Sequence, residues 1–196
     1  PLVGVEGRVN LLKKLGETVY SNNEFFPKGR PGSIIDYLVT KHGKSFEVSD
    51  ILDAVLRGLG PIWPGRIMAD GDVNLGDVWH YSALGELGMN SVICFHKLSQ
   101  WLTYSLVTPM IEAGLEVKGA EKLTGLAEYR NGGLFFDMEV IQFRDSTNKD
   151  KSHKPSSDLI IEWRALTIQL LDQMGEMVQQ KLGKSPSDFP LAKVLE

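Results

Sequence analysis

The sequence predicts a mainly α-helical, multi-helix bundle-like domain with long loops rich in glycine, proline and tryptophan. Apolar residues recur at helical spacing in five separate segments of the 196-residue chain. Hydrophobic residues make up 42% and charged residues 23%, which suits one globular domain over residues 1–196. A net charge of only −4 at that apolar content excludes a disordered tail. A lone cysteine, Cys94, excludes a disulfide scaffold.

Glu6 to Tyr20 reads as the first helix, with Val9, Leu12, Gly16 and Val19 on one face and Ser21-Asn22-Asn23 ending it. Pro31 suits the first position of a second helix through Ile34, Ile35 and Leu38. Ser49 with Asp50 is expected to cap a third helix carrying Ile51, Leu52, Val55 and Leu56, stopped by Gly58 and Gly60. A long irregular stretch follows from Gly60 to Gly88. Loops of that length inside a domain are uncommon unless they have a task. Cys94 to Met110 reads as a strong helix packed through Leu98, Trp101, Leu102, Ser105 and Leu106. A second irregular stretch is centred on GLAEYRNGGLFFD (Gly125 to Asp137), with an extended piece over Leu134 to Phe143 and an exposed loop from Asp145 to Ser157. Ser156 or Ser157 caps the last long helix, which runs to Leu182 with Ile160, Trp163, Thr167, Leu170, Met174 and Met177 on its face. Gly183 closes it, and a short helical tail follows.

Several functional classes lose support at once. No window holds about 18 uninterrupted apolar residues, so no membrane span is expected. The mild acidity argues against nucleic-acid binding through bulk charge. HExxH, CxxC, GxSxG, P-loop and GxGxxG patterns are missing, and His42, His80, His96 and His153 are scattered, so neither a metal nor a cofactor is expected. Cys94 reads as a small packed hydrophobe. One thiol and an opening PLVGVEGR that is not a signal peptide make a cytoplasmic location the expectation. The opening lacks a Met and enters a helical pattern directly, so the chain reads as part of a longer protein.

Three constellations carry chemistry that packing does not require. Lys97, Gln100 and Tyr104 share one helix face by their i, i+3, i+7 spacing, unless they are a solvated edge. Glu128, Tyr129, Arg130 and Asn131 sit between Gly125 and Gly132-Gly133, where glycine lets backbone approach a ligand, or where a Glu–Arg pair merely closes a turn. Trp63, Arg66, Asp77, Trp79 and His80 lie in the first long loop. Its aromatic faces stack on a flat ligand or anchor the loop.

The segments RPGSIIDYL, GLGPIWPGR, LGDVWHYSAL, FHKLSQWLTYSLVTP, GLAEYRNGG and IIEWRALTIQLLD together resemble the uracil catabolism protein 4 family of fungi and bacteria. The resemblance runs over nearly the whole chain. It implies the C-terminal half of a protein about twice as long, with a contact to the family's N-terminal half. FHKLSQWL and GLAEYRNGG are also similar, more weakly, to the lysine–glutamine helix and the (D)YR turn of the queuosine salvage proteins. Those are N-glycoside hydrolases with a helical fold akin to the helix-hairpin-helix glycosylases. The separation 128 − 97 = 31 fits that pattern, with Glu128 in the place of an aspartate.

The resemblances imply an N-ribosyl hydrolase of pyrimidine (uracil) catabolism that cleaves the N-glycosidic bond of a ribosylurea-type or nucleotide-derived small molecule. Glu128 stabilises the cationic sugar or activates water, Lys97 keeps it ionised, Arg130 and Arg66 are candidates for a phosphate, Trp63 or Trp79 covers the leaving group, and Tyr129 and Asn131 orient hydroxyls. A ring-opening or amide hydrolase of the same route and a non-catalytic scaffold subunit are the alternatives.

Overall fold

The computed structural model describes residues 4–195; Pro1 to Val3 of the opening segment and Glu196 of the tail lie outside them. Among the described residues seven α-helices alternate with six short strands. In chain order these are α1 (Val5–Ser21), α2 (Ser33–His42), β1 (Ser45–Glu47), α3 (Val48–Leu59), β2 (Met68–Ala69), β3 (Val73–Asn74), β4 (Val78–His80), β5 (Val92–Cys94), α4 (Lys97–Glu112), β6 (Glu116–Lys118), α5 (Tyr129–Asp137), α6 (Asp158–Leu182) and α7 (Leu191–Val194). The strands form three two-stranded sheets, β1–β6, β2–β3 and β4–β5. The expected mainly α, bundle-like architecture is therefore corrected to mixed helix and sheet. Strands of two or three residues leave too short an alternating pattern to stand out from loop.

The chain forms two compact units. The first comprises residues up to Asp77 with Leu98–Lys122, and the second comprises Val78–Lys97 with the residues from Leu123 onward. The boundary falls inside the first turn of α4.

In the first unit Phe26, Leu38, Ile51 and Met110 are almost fully buried in one apolar cluster. Parallel strands β1 and β6 pair Phe46 with Val117. The N-cap of α3 is Glu47 rather than Ser49, and the Asp50 carboxylate accepts the Glu47 N–H at 2.9 Å. Helix α2 begins at Ser33, with Pro31 in the preceding turn. On α1 only Val19 of the expected apolar stripe is buried, while Leu12 is 65% exposed. Part of the stretch expected to be irregular is the hairpin β2–β3, held by the Asn74 amide donating to the carbonyl of Trp63 at 2.7 Å. The α4 face is also corrected. Leu98 and Trp101 are exposed, and Ser99, Gln100, Thr103 and Met110 are buried. The Thr103 hydroxyl meets its hydrogen-bonding need inside the helix, donating to the Ser99 carbonyl at 2.9 Å, so burial of a polar stripe is tolerated.

In the second unit β4 and β5 pair antiparallel with Trp79 opposite Ile93. Cys94 lies in β5 and is exposed, not packed on a helix as expected. The stretch expected to be irregular after Gly125 is largely helix α5, which packs on α6. Ser157 is the N-cap of α6, and Gly183 closes it in the left-handed conformation (φ 61°). The buried face of α6 carries Ile161, Thr167, Leu171 and Gly175, and Met177 is exposed.

Two tight approaches fix this unit. A Cβ on Gly125 would lie 2.7 Å from the Leu171 Cβ, and one on Gly132 would lie 2.7 Å from the Trp163 Nε1 and 2.8 Å from the Thr167 Oγ1. Asp172 of α6 draws in the strand of chain before α5, accepting the Gly125 N–H at 2.7 Å and the Thr124 hydroxyl. Gly133, one residue on, has open space around its Cβ position. The two neighbours therefore respond oppositely to the same change. Gly132→Ala overpacks and is expected to destabilise by about 1–3 kcal/mol in urea unfolding. Gly133→Ala removes only a helix-interior glycine and is expected to stabilise by about 0.5–1 kcal/mol. Equal effects at both sites would contradict this packing.

Candidate functional site

Glu128 is placed by the start of α5. Its backbone is extended (φ −87°, ψ 136°) and it serves as the helix N-cap. Its carbonyl accepts the Gly132 N–H at 3.0 Å, and its own Oε1 accepts the Tyr129 N–H at 2.9 Å. An N-cap carboxylate gains from the unsatisfied N–H groups and the positive end of the helix dipole. Lys97 is placed by the entry to α4. His96 between β5 and α4 has a left-handed backbone (φ 47°), an uncommon conformation for a residue with a side chain, and the turn it makes delivers the next residue as the first of the helix.

These two placements bring the Lys97 Nζ to 2.7 Å from the Glu128 Oε2, across 31 residues of sequence. Their side chains are 23% and 33% exposed, so the pair is shielded without being sealed. Burial pushes the Glu128 carboxyl up, but it is outweighed by the hydrogen bond from Lys97, the Tyr129 N–H and the charges of Lys97 and Arg130. The group ends below the usual carboxylate range. Glu128 is thus an ionised carboxylate at neutral pH with a protein donor on each oxygen.

The pair forms one wall of a cavity of about 230 Å³, lined also by Ala127, Tyr129, Ile160, Trp163, Arg164 and Thr167. The rest of the lining is mostly one face of α6, because residues 160, 163, 164 and 167 follow the i, i+3, i+4, i+7 rule. The Arg164 guanidinium carbon sits 4.0 Å from the centre of the buried Phe95 ring, which holds the side chain at the cavity. The Trp163 Nε1 is buried with no hydrogen-bond partner among the described residues, against Gly132. The volume lies below the ~300–1,000 Å³ of drug-sized pockets.

Of the residues singled out from the sequence, Lys97, Glu128 and Tyr129 meet at this cavity. Tyr129 is 68% exposed, and its hydroxyl receives the Arg130 Nε at 3.3 Å, so Arg130 turns along the surface and does not line the cavity. Asn131 is half-buried in the first turn of α5, outside the lining. Trp79 and His80 belong to the same unit in β4, outside the lining, and His80 Nδ1 lies 2.9 Å from the Ser91 Oγ. Trp63, Arg66, Asp77, Gln100 and Tyr104 belong to the first unit. Sequence reasoning missed Arg164 and treated Trp163 and Thr167 as packing. The signal available was the row Ile160, Trp163, Arg164, Thr167, where a cation stands on the face that otherwise packs.

The comparisons with known proteins bear on this chain as a whole. A family model described as "Protein of unknown function (DUF1688)" matches residues 1–196. Uracil catabolism protein 4 of Lachancea kluyveri is 38% identical over 211 residues, covering 93% of this chain and 48% of that protein. Protein urg3 of Schizosaccharomyces pombe is 38% identical over 200 residues, covering 100% of this chain and 47% of its own length. The chain thus spans about half the length of the curated relatives it matches. No solved structure matches it. The chain belongs to the DUF1688 family, and its resemblance to uracil catabolism protein 4, first legible in its motifs, is borne out across nearly its full length.

Proposed function

We propose that this chain carries the catalytic centre of an N-ribosyl hydrolase acting in uracil breakdown, on a ribosylurea-type or nucleotide-derived N-glycoside. The observation that carries the reading is the 2.7 Å Lys97–Glu128 pair lining a cavity of about 230 Å³. The place in uracil breakdown is taken from the name of the relative uracil catabolism protein 4. The queuosine salvage hydrolases offer a parallel for a lysine and an acid at this spacing.

The chemistry follows from the residues. As the glycosidic C–N bond breaks, its electron pair goes to nitrogen and positive charge builds on the anomeric carbon and ring oxygen. An ionised carboxylate preorganised beside that carbon lowers the barrier electrostatically. Water then adds to the carbon, and its proton goes to the departing nitrogen, so the products are a free sugar and urea or a base. Lys97 has two tasks: it holds Glu128 ionised, and it fixes the direction of Oε2. Tyr129 N–H fixes the other oxygen.

The test is release of free sugar from ribosylurea, uridine and their 5′-phosphates by the full-length protein. Glu128→Gln keeps the shape and removes the charge, and a loss of at least ~100-fold in kcat is expected. Full turnover in that variant would remove Glu128 from the reaction.

The pH profile supplies a second check. Glu128 has a lowered folded-state pKa, so the active ionised form persists at neutral pH and is lost only as pH falls below the ordinary carboxylate value of 4.5. Lys97→Met removes both the hydrogen bond and the charge that hold the carboxyl down. The acid limb of kcat/KM is therefore expected to move to higher pH in that variant. A midpoint that stays put would show that Lys97 does not control the ionisation of Glu128.

A further inference from the structure

Helix α6 presents two neighbouring rows of side chains to two hollows of the second unit. The row at 160, 163, 164 and 167 lines the cavity that holds the Lys97–Glu128 pair, and the row at 159, 162, 163 and 166 lines another, of about 370 Å³. Trp163 is common to both. The hollows lie at opposite ends of α5: the first takes in residues 127–129, and the second takes in Phe136 and chain beyond it as far as Asn148. The hydrolytic reading uses the first alone. The second has the make-up of a small-molecule site. Its volume falls within the ~300–1,000 Å³ of such pockets. Three aromatic rings in its lining brace one another. Phe136 stacks on Phe143 at 4.7 Å between centroids and meets Trp163 edge-on at 5.5 Å. The Trp163 indole is held in turn, because its N–H edge is buried against Gly132. The polar chain that completes the lining is ordered by bonds of its own. The Asp145 carboxylate accepts the Thr147 N–H at 2.9 Å, the Asn148 carbonyl lies 2.8 Å from the His153 Nε2, and Arg144 pairs with Glu162 at 3.3 Å. A hollow shaped in this way before a ligand arrives costs little ordering when it is filled.

We infer that this second cavity is a binding site, separate from the Lys97–Glu128 cavity, for a planar, uncharged ring with an amide edge, the class of the pyrimidine bases. Three features select that class. Aromatic side chains favour a flat conjugated ring over a puckered one, because stacking needs a π face. Gln142 and Asn148 bring carboxamides to the lining, each both donor and acceptor, which complements a ring edge that alternates N–H and C=O. The charged side chains of the lining are two carboxylates, Asp145 and Glu162, against the single guanidinium of Arg144, which is paired with Glu162, so an anionic ring meets no favourable field. The inference rests on the N-ribosyl hydrolase reading only for the choice of a pyrimidine: the bond broken beside Glu128 releases urea or a base, and a base is a ring of this class. The site itself stands on the cavity alone.

Calorimetry with the full-length protein tests this with three probes. Uracil is the flat, uncharged ring. Dihydrouracil keeps the amide edge and loses the conjugated plane, and orotate adds a carboxylate to the ring. The proteins are the wild type, Glu128→Gln, Phe143→Ala and Leu166→Trp, with circular dichroism melts to confirm folding. Phe143→Ala removes one ring, and Leu166→Trp fills the hollow from its α6 side while keeping all three. The wild type is expected to bind uracil at least ~10-fold more tightly than dihydrouracil or orotate. Phe143→Ala and Leu166→Trp are each expected to lose ~10–100-fold toward uracil, the size of one base–aromatic stacking contact, and Glu128→Gln to stay within about threefold of the wild type. No uracil binding by the wild type would overturn the inference, as would equal affinity for uracil and either comparator, or uracil affinity that survives both Phe143→Ala and Leu166→Trp. A loss in Glu128→Gln equal to that in Phe143→Ala would also overturn it, by putting the ring in the other cavity. If Phe143→Ala does not fold, Leu166→Trp decides by the same criterion. The expected pattern without sugar release from any N-glycoside would leave this site standing while the hydrolase reading fails. Sugar release without uracil binding would do the reverse.

Discussion

The geometry of the second unit depends on the close approach of α5 to α6 at Gly132. With a side chain there, α5 would have to withdraw from Trp163 and Thr167. Glu128, which caps α5 and is joined to Gly132 by one backbone hydrogen bond, would withdraw with it. The Asp172 carboxylate performs the complementary task one segment earlier, drawing Thr124 and Gly125 onto the same helix. A short helix clamped at both of these places has little freedom to rotate. Its N-cap carboxylate is consequently aimed by packing, and the ion pair with Lys97 completes a position that is already set. Partly exposed ion pairs add little stability of their own, so it is reasonable that packing places this one.

Long elements were legible in the sequence and short ones were not. The last helix, from its serine cap to Gly183, stands as its periodicity and its closing glycine indicate. Helices α1 and α3 likewise fall where the apolar spacing puts them. The sheets escaped notice because Val78–His80 and Val92–Cys94 have three residues each, and pairing with a distant segment is what makes them strands. Helix α5 was hidden for another reason. Two adjacent glycines, Gly132 and Gly133, lower its intrinsic helix propensity, and contact with α6 overrides that cost. Helix faces were the least reliable reading. On α4 a stripe of Ser99, Gln100 and Thr103 is inside and Trp101 is outside, the reverse of what side-chain polarity suggests.

The candidate site shows the same division. Lys97 and Glu128 stand out in the sequence as a lysine on a helix and an acid in a glycine-flanked turn, and the structure sets them at hydrogen-bonding distance. Arg164 was not identifiable in that way. Its meaning comes from Phe95, 69 residues away in sequence, on whose ring it rests. Trp63, Arg66 and Asp77 stand out because aromatic and charged side chains cluster in a glycine-rich loop. The Trp63 carbonyl also anchors a hairpin through the Asn74 amide.

A single helix, α6, supplies the back wall of the cavity through residues 160–167, the tether for the segment leading to α5 through Asp172, and the seat of α7 at Gly175, where Leu191 packs. These three tasks lie in order along Asp158–Leu182, with the wall in the N-terminal third and the tether and seat beyond it. Fraying from Ser157 therefore loosens the hollow first and leaves the contacts at Asp172 and Gly175 standing. Amide protons of the opening turns of α6 should then exchange with solvent faster than those around Leu171, so that the hollow can open and re-form while the rest of the unit stays folded.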